Sequence, residues 1–158
     1  MVWGCVIDGK KGPLINLDYP GGKGGGMTLV QYQQQVLSGV LEDFYHEVRE
    51  EQGPCSFQQD NASAHTSKST NDWFHSHHIP LFPHPSSSPD LNPIEGVWHE
   101  LKTIIRSSPH PPTMLDTLEA AIQSAWDQLS IDAINKYVGT MEDCVRAIIM
   151  ARGGHTQY

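Results

Sequence analysis

The pattern of apolar and polar positions predicts a β-hairpin at the start of the chain. Residues 1–7 and 13–17 are rich in β-forming side chains, and the Gly- and Lys-containing stretch 8–12 between them is typical of a turn. The Gly-rich residues 20–26 lack the spacing of a phosphate-binding loop and are interpreted as a linker.

Beyond the linker, apolar residues recur at helical spacing, interrupted by short apolar runs that predict strands. Thr28 and Gln31 form a capping-box pattern, and Asn92 followed by Pro93 is typical of a helix start. The predicted elements are a helix over 28–51, a strand over 56–59, a helix over 64–75 with Trp73 and Phe74 facing the core, a strand over 79–82, and helices beginning at 93, 113 and 130. Strands joined by helices predict an α/β fold with a mixed, partly parallel sheet.

Composition narrows the class of protein. A chain of 158 residues is long enough for one domain with a sizeable core. It holds no run of about 18 apolar residues, which argues against a membrane span. Three scattered cysteines predict neither a disulfide framework nor a zinc knuckle, and instead suggest buried free thiols.

The charge balance restricts how the chain could bind nucleic acid. A net charge of −8 is the wrong sign for holding DNA by phosphate neutralisation alone. Contacts to DNA would therefore depend on bound metal, on local basic residues such as Lys102 and Arg106, or on a partner segment.

Two carboxylates are candidates for chemistry. Asp60, with Asn61, follows a predicted strand, and Glu95 occupies the first turn of a predicted helix. Carboxylates placed in this way can converge on Mg²⁺ or Mn²⁺, which prefer oxygen ligands. Taken singly, Asp60–Asn61 also fits an ordinary turn, and Glu95 also fits a helix-capping role.

Several histidines lie close together along the chain, at positions 75, 77, 78 and 84. Zinc ligation is one interpretation of them. Without a partner cysteine or ligand spacing, a solvated surface is the interpretation that the pattern favours.

Two longer motifs make the carboxylate pair more specific. FQQDNASAHTSK and PHPSSSPDLNPIEGVWHELK resemble the catalytic core of mariner-type transposases, whose motifs read like QQDNAPxH and SPDLNPIExxW. Positions 61–94, which are 34 residues, separate Asp60 from Glu95, as in the best-known branch of that superfamily. VWGCVIDGKKGPLINLD is similar to the second and third strands of the same fold.

The resemblance implies a ribonuclease-H-like fold with flanking helices, a helical C-terminal extension and an Asp-Asp-Glu triad that binds two Mg²⁺ or Mn²⁺ ions. Such enzymes cut transposon-end DNA and join the freed 3′-hydroxyl to target DNA. Asp60 would be the second carboxylate and Glu95 the third. Asn61 and His65 match positions that steady the site, and Asn92, with Ser88 and Pro89, matches the loop that positions the glutamate helix.

The sequence departs from the family at its amino-terminal side. No residue matches the first catalytic aspartate, since neither Asp8 nor Asp18 aligns with it, and the helix-turn-helix region of the family is expected to be absent. The first, central strand of the sheet is therefore expected to be missing. The chain is expected to be inactive alone, because a two-metal site without one carboxylate leaves the metals short of ligands. It is also expected to be poorly soluble, because the neighbouring strands would show unpaired edges.

The resulting predictions divide the chain into a partial catalytic core over residues 1–109 and a helical segment of the same domain over 110–158. Expected partners are transposon-end and target DNA, with a homodimer left open, and no membrane or small-molecule substrate. A nuclear location follows from the family. The alternative function is a non-catalytic, domesticated remnant that binds protein or nucleic acid.

Overall fold

The computed structural model describes residues 1–18, 26–154 and 156. The chain forms two compact units: unit 1 comprises residues 1–3 and 15–88, and unit 2 comprises residues 4–14 and 89–158. Apart from Gly26, the linker predicted for residues 20–26 lies outside the described residues. The division predicted at residue 109 stays a prediction.

The hairpin predicted at the start of the chain is confirmed. Strand β1 (Val2–Ile7) pairs with β2 (Lys10–Asn16) in a two-stranded sheet. The connection is shorter than expected, and Gly9 adopts a φ of 75° that glycine accepts without steric cost. A hydrogen bond from the Leu17 amide to the Met1 carbonyl, 2.9 Å long, extends the pairing beyond the strands.

The first long helix of unit 1 is not the single element that its periodicity predicts. Helix α1 (Leu29–Tyr32) begins at the predicted Thr28 capping box, a π-helical segment (Gln33–Leu41) follows, and α2 (Glu42–Gln52) completes the run. The chain kinks at Ser38 and Gly39, where the Gly39 φ of 96° is incompatible with a helix. The prediction of one uninterrupted helix was therefore wrong, because apolar spacing does not register a backbone break at glycine.

A second helix prediction in unit 1 was also too simple. The stretch predicted as a helix over 64–75 is two helices, α3 (Ser63–Thr66) and α4 (Lys68–Ser76). Ser67, with extended backbone angles, separates them, and its hydroxyl accepts a hydrogen bond from the Thr70 amide that caps α4. Serine favours this N-cap role over a helix interior.

The strands predicted over 56–59 and 79–82 shrink to one parallel bridge between Phe57 and Leu81. The Phe57 amide donates to the Pro80 carbonyl and the Phe82 amide donates to the Phe57 carbonyl, both at 2.8 Å. Prolines at 80 and 83 remove amide donors, which limits how far the pairing can extend. The two segments nevertheless lie side by side in the expected parallel direction.

Unit 1 has one hydrophobic core. Its buried members come from the helical run that begins with α1, from α4 and from the segment that follows it. Phe74 is only 2% exposed, and Trp73 packs against the cluster while partly exposed, so both face the core as predicted. The buried residues are Tyr32, Val36, Leu37, Leu41, Tyr45, Phe74 and Ile79.

Besides the hairpin residues 4–14, the described part of unit 2 contains a 3₁₀ turn (Pro89–Leu91) and four helices. The helix predicted to begin at residue 130 is present, and Ser130 caps it through a 3.1 Å bond from the Ala133 amide to the Ser130 hydroxyl. Three helices, not the two predicted, close the described part of the chain, because the last predicted helix breaks at Thr140. The bounds are α5 (Pro93–Arg106), α6 (Leu115–Gln128), α7 (Ile131–Gly139) and α8 (Met141–Met150).

The core of unit 2 forms around Trp126 on α6. The Trp126 indole donates to the Gly12 carbonyl at 3.2 Å, and the Lys11 ammonium donates to the carbonyls of Trp126 (2.5 Å) and Leu129 (2.9 Å). A cation at the carboxyl end of α6 satisfies carbonyls that the helix leaves unpaired. The buried residues are Val97, Leu101, Ala125, Trp126, Leu129 and Ile134.

No helix in the described ranges is both long enough and apolar enough to cross a membrane.

Candidate metal centre

Asp60 lies directly after the segment that pairs with Leu81, as expected for a carboxylate at the end of a strand. Its Oδ1 accepts two hydrogen bonds, from the Ala62 amide at 3.0 Å and from His65 Nδ1 at 2.6 Å. The Asp60 side chain is 60% exposed, whereas that of His65 is 21% exposed. The carboxylate is therefore open to solvent but held in one orientation.

The same surroundings favour the ionised form of Asp60. Partial burial raises the pKa of its carboxyl, but the hydrogen bond from the Ala62 amide and the charges of His65 and His84 outweigh that effect. The pKa therefore lies below the usual 3.8. A carboxylate that stays charged is the form that binds a metal ion.

His65 belongs to α3 and is fixed from two sides. A carboxylate can only accept, so His65 Nδ1 carries the proton of the 2.6 Å bond to Asp60. The imidazole also packs on the Tyr32 ring, with centroids 4.4 Å apart and planes inclined by 43°. The structure thus brings together two of the predicted site residues, Asp60 and His65.

Asn61 has a different role from its neighbour. Its side-chain amide donates to the His84 carbonyl at 2.8 Å and to the Ser86 hydroxyl at 3.4 Å. The His84 ring is held by Gln58, whose Nε2 lies 3.0 Å from His84 Nδ1. Asn61 therefore ties the loop after Asp60 to residues 84–86, within unit 1.

Asn92 and Glu95 lie in unit 2. Asn92 occupies the N-cap position of α5 and Pro93 the first turn, as predicted, but the Asn92 side chain makes no capping hydrogen bond. The Asn92 carbonyl accepts from the Glu95 amide at 3.0 Å. Glu95 is exposed in the first turn, where the helix dipole favours negative charge.

The first turn of α5 is held by a close contact with α7. A Cβ added at Gly96 would lie 2.3 Å from Tyr137 Cδ1, so the tyrosine ring rests directly on the glycine. The Tyr137 hydroxyl donates to Glu100 Oε2 at 2.9 Å. Gly96 therefore fixes how closely α7 approaches the turn that carries Glu95.

Sequence reasoning missed the residues that surround His65 and Glu95. Tyr32 lies inside the helix predicted over residues 28–51, and neither it nor Gly96 and Tyr137 carries a functional signal in the sequence. Gln59 lies inside the QQDNASAH motif, which was the one available signal, yet a motif does not tell which partner its side chain contacts.

No group of three or more His, Cys, Asp or Glu side chains that could hold a metal ion occurs among residues 1–18, 26–154 and 156. His77, one of the four clustered histidines, stacks on Trp73 with centroids 4.0 Å apart and contacts its carbonyl. Cys5 and Cys144 are buried free thiols, as expected, and Cys55 is half-buried.

A family model and curated relatives that are similar to this chain point to the same group of proteins. The model of a family described as DDE superfamily endonuclease matches residues 24–118. The Tc3 transposase of Caenorhabditis elegans is 32% identical over 158 residues, covering 100% of this chain and 45% of that protein. The Tc1 transposase of the same organism is 31% identical over 166 residues, covering 100% of this chain and 54% of that protein. The chain thus spans about half the length of the curated relatives it matches.

Solved structures show the fold. The catalytic domain of Mos1 mariner transposase superposes with a TM-score of 0.71 at 16% identity, over 84% of this chain and 65% of that one. The same domain with raltegravir and Mg gives a TM-score of 0.70 at 16% identity, over 84% and 66%. This likeness confirms the predicted ribonuclease-H-like architecture, whereas the missing central strand stays a prediction.

Proposed function

The chain belongs to the DDE superfamily endonuclease family, and we propose that it supplies metal ligands for a Tc1/mariner-type transposase that cuts and rejoins DNA. The observation that carries this proposal is the state of Asp60. Its carboxylate is exposed, held in one orientation by Ala62 and His65, and kept ionised at a motif position of the family. The family match over residues 24–118 also includes Glu95.

The proposed ligands are Asp60 and Glu95, on the strength of the two motifs and the 34 residues between them. Their oxygen donors suit Mg²⁺ or Mn²⁺ in type. Among the described residues, no group of three or more His, Cys, Asp or Glu side chains that could hold a metal ion occurs. We propose no third ligand here, since neither Asp8 nor Asp18 aligns with the first carboxylate of the family triad.

The protein's own groups prepare the site before any metal binds. His65 and the Ala62 amide hold Asp60 Oδ1, and the amino end of α5 stabilises the charge of Glu95. When bound, a pair of divalent ions lowers the pKa of water and stabilises negative charge on a phosphodiester. Mos1 has been solved with Mg and with Mn, which supports this choice of metal.

The proposed substrate is double-stranded DNA. Mos1 structures include a paired-end complex and a strand transfer complex, which supports DNA as the partner. Because the chain carries a net charge of −8, we assign phosphate contacts to exposed basic residues on α5, Lys102 and Arg106. A nuclear location and a homodimer are part of the same proposal.

The experiment is a Mn²⁺ titration of the 158-residue chain and four variants. Asp60→Asn and Glu95→Gln remove one ligand charge each, whereas Asp72→Asn and Glu50→Gln remove exposed carboxylates elsewhere in unit 1. We expect the first two variants to weaken Mn²⁺ binding at least tenfold and the control variants to bind like the unmodified chain. Equal binding by all five proteins would contradict the proposed ligands. Absence of binding by the unmodified chain would favour a non-catalytic binding protein.

A further inference from the structure

The Asp60 carboxylate is held by a side chain that itself sits on a weak element. His65 lies in α3, a helix of only four residues, and an isolated helix of that length is unstable in water. The orientation of Asp60 therefore depends on what immobilises His65 from outside α3.

Tyr32 supplies the first support. It is 1% exposed, belongs to the core of unit 1, and presents its ring to the His65 imidazole at 4.4 Å between centroids. A ring fixed in a core has few alternative rotamers, so it gives the imidazole a rigid surface.

Gln59 supplies the second support, directly before Asp60 in sequence. Its Oε1 accepts from the Tyr32 hydroxyl at 2.7 Å, and its Nε2 donates to the His65 carbonyl at 3.3 Å. A carbonyl can only accept, so the amide nitrogen must face His65, and this fixes the orientation of the Gln59 amide.

These contacts close a ring of interactions. Asp60 bonds to His65, His65 packs on Tyr32, Tyr32 bonds to Gln59, and Gln59 bonds back to His65. All four residues lie in unit 1, and only Tyr32 is distant in sequence. Removing one link leaves His65 held by fewer partners.

We propose that Tyr32 and Gln59 are positioning residues, which hold His65 and through it orient the Asp60 carboxylate for metal binding. The inference rests on the proposed function, in which Asp60 is a metal ligand. Neither residue is proposed as a metal ligand. Both act by keeping His65 Nδ1 directed at Asp60 Oδ1.

Two variants test the inference in the 158-residue chain, with Mn²⁺ alone as the probe. Tyr32→Phe keeps the ring and removes the hydroxyl bond, and Gln59→Met removes both amide bonds at nearly constant length. The matched control is Tyr45→Phe. Tyr45 is also a buried tyrosine of the same core, and its hydroxyl donates to the Cys55 carbonyl at 3.1 Å, away from Asp60.

We expect Tyr32→Phe and Gln59→Met to weaken Mn²⁺ binding about tenfold, the low end of what loss of a ligand's supporting partner costs. Tyr45→Phe should lose a similar amount of thermal stability and bind Mn²⁺ like the unmodified chain. The inference is overturned if Tyr32→Phe and Gln59→Met bind Mn²⁺ within twofold of the unmodified chain. It is also overturned if Tyr45→Phe weakens binding equally.

A second readout needs no metal. Nitrogen-15 NMR of the His65 ring should show the Nδ1–H tautomer in the unmodified chain and a mixture of tautomers in Tyr32→Phe and Gln59→Met. If the unmodified chain binds no Mn²⁺, the proposed function fails, and the tautomer alone decides the inference. Identical His65 spectra in all variants would then overturn it.

Discussion

Gly96→Ala is the substitution whose consequence the structure defines most sharply. The added Cβ would lie 2.3 Å from Tyr137 Cδ1, 2.7 Å from Cε1 and 2.8 Å from Cγ. Ordinary contact begins near 3.4 Å, so Cδ1 must retreat by 1.1 Å, the difference between 3.4 and 2.3 Å. The tyrosine ring cannot swing away freely, because its hydroxyl is hydrogen-bonded to Glu100. In addition, Ile134 on the same helix is fully buried, which holds the helix in place.

Two opposing terms set the size of the effect. Overpacking a filled site costs about 1–3 kcal/mol, and disturbing the hydrogen bond from Tyr137 to Glu100 costs about 1 kcal/mol more. Alanine in place of glycine inside a helix stabilises by about 1 kcal/mol. The expected net change in the free energy of unfolding is a loss of about 1–3 kcal/mol.

A double-mutant cycle by urea denaturation separates the two terms. With Tyr137→Ala in place, Gly96→Ala should stabilise by about 1 kcal/mol, since only the helix propensity remains. Gly139→Ala is a control on α7, where an added Cβ meets nothing within 4 Å, so it should stabilise or leave stability unchanged. Stabilisation by Gly96→Ala in the unmodified chain, equal to that in the Tyr137→Ala background, would refute the close contact.

Three further predictions concern other parts of the chain. Lys11→Met should lower the free energy of unfolding by about 1–3 kcal/mol, because the carbonyls of Trp126 and Leu129 lose a charged donor. Lys68→Met, at an exposed position of α4, should change the free energy of unfolding little. Equal effects of the two substitutions in urea denaturation would contradict this prediction. The Asp60 carboxyl, followed by carbon-13 NMR, should titrate with a pKa below 3.8. Because the pKa is lowered in the folded state, the contribution of this carboxylate to stability is complete above pH 3.8 and is lost as pH falls through the folded pKa. A titration midpoint at or above 3.8 would contradict the hydrogen bonding described. Lys102→Ala should reduce the slope of log K against log salt for duplex DNA by about 1, and an unchanged slope would remove Lys102 from the DNA contacts.

Local signals predicted the caps and turns of the fold well. Thr28 with Gln31, Ser130, and Asn92 followed by Pro93 each mark a helix start that the structure confirms. These features depend on residues within one turn of each other, so the sequence pattern contains all of the relevant chemistry.

Breaks inside the predicted helices were not visible from apolar spacing. Gly39 and Ser67 interrupt runs whose hydrophobic period continues across the break, because both sides of each break still face the core of unit 1. Tertiary packing decided the backbone there, and a periodic pattern has no access to it.

The sequence predicted the residues of the candidate site but not the residues that hold them in place. Asp60 and His65 lie five positions apart in one motif, and the structure joins them directly. Tyr32 lies 27 positions before Gln59, and Gly96 lies far in sequence from Tyr137, so their contacts arise only once the chain is folded. Such partners carry no local signal beyond their residue type.

The central proposal is that Asp60 and Glu95 are both metal ligands. The most direct test is paramagnetic broadening, in which substoichiometric Mn²⁺ is added to the 158-residue chain carrying carbon-13-labelled carboxylates. We expect the side-chain signals of Asp60 and Glu95 to broaden at the same Mn²⁺ concentrations, while that of Asp72 stays sharp. Broadening of one of these two signals without the other would contradict the proposal. So would broadening of both only at the Mn²⁺ concentrations that broaden exposed carboxylates in general.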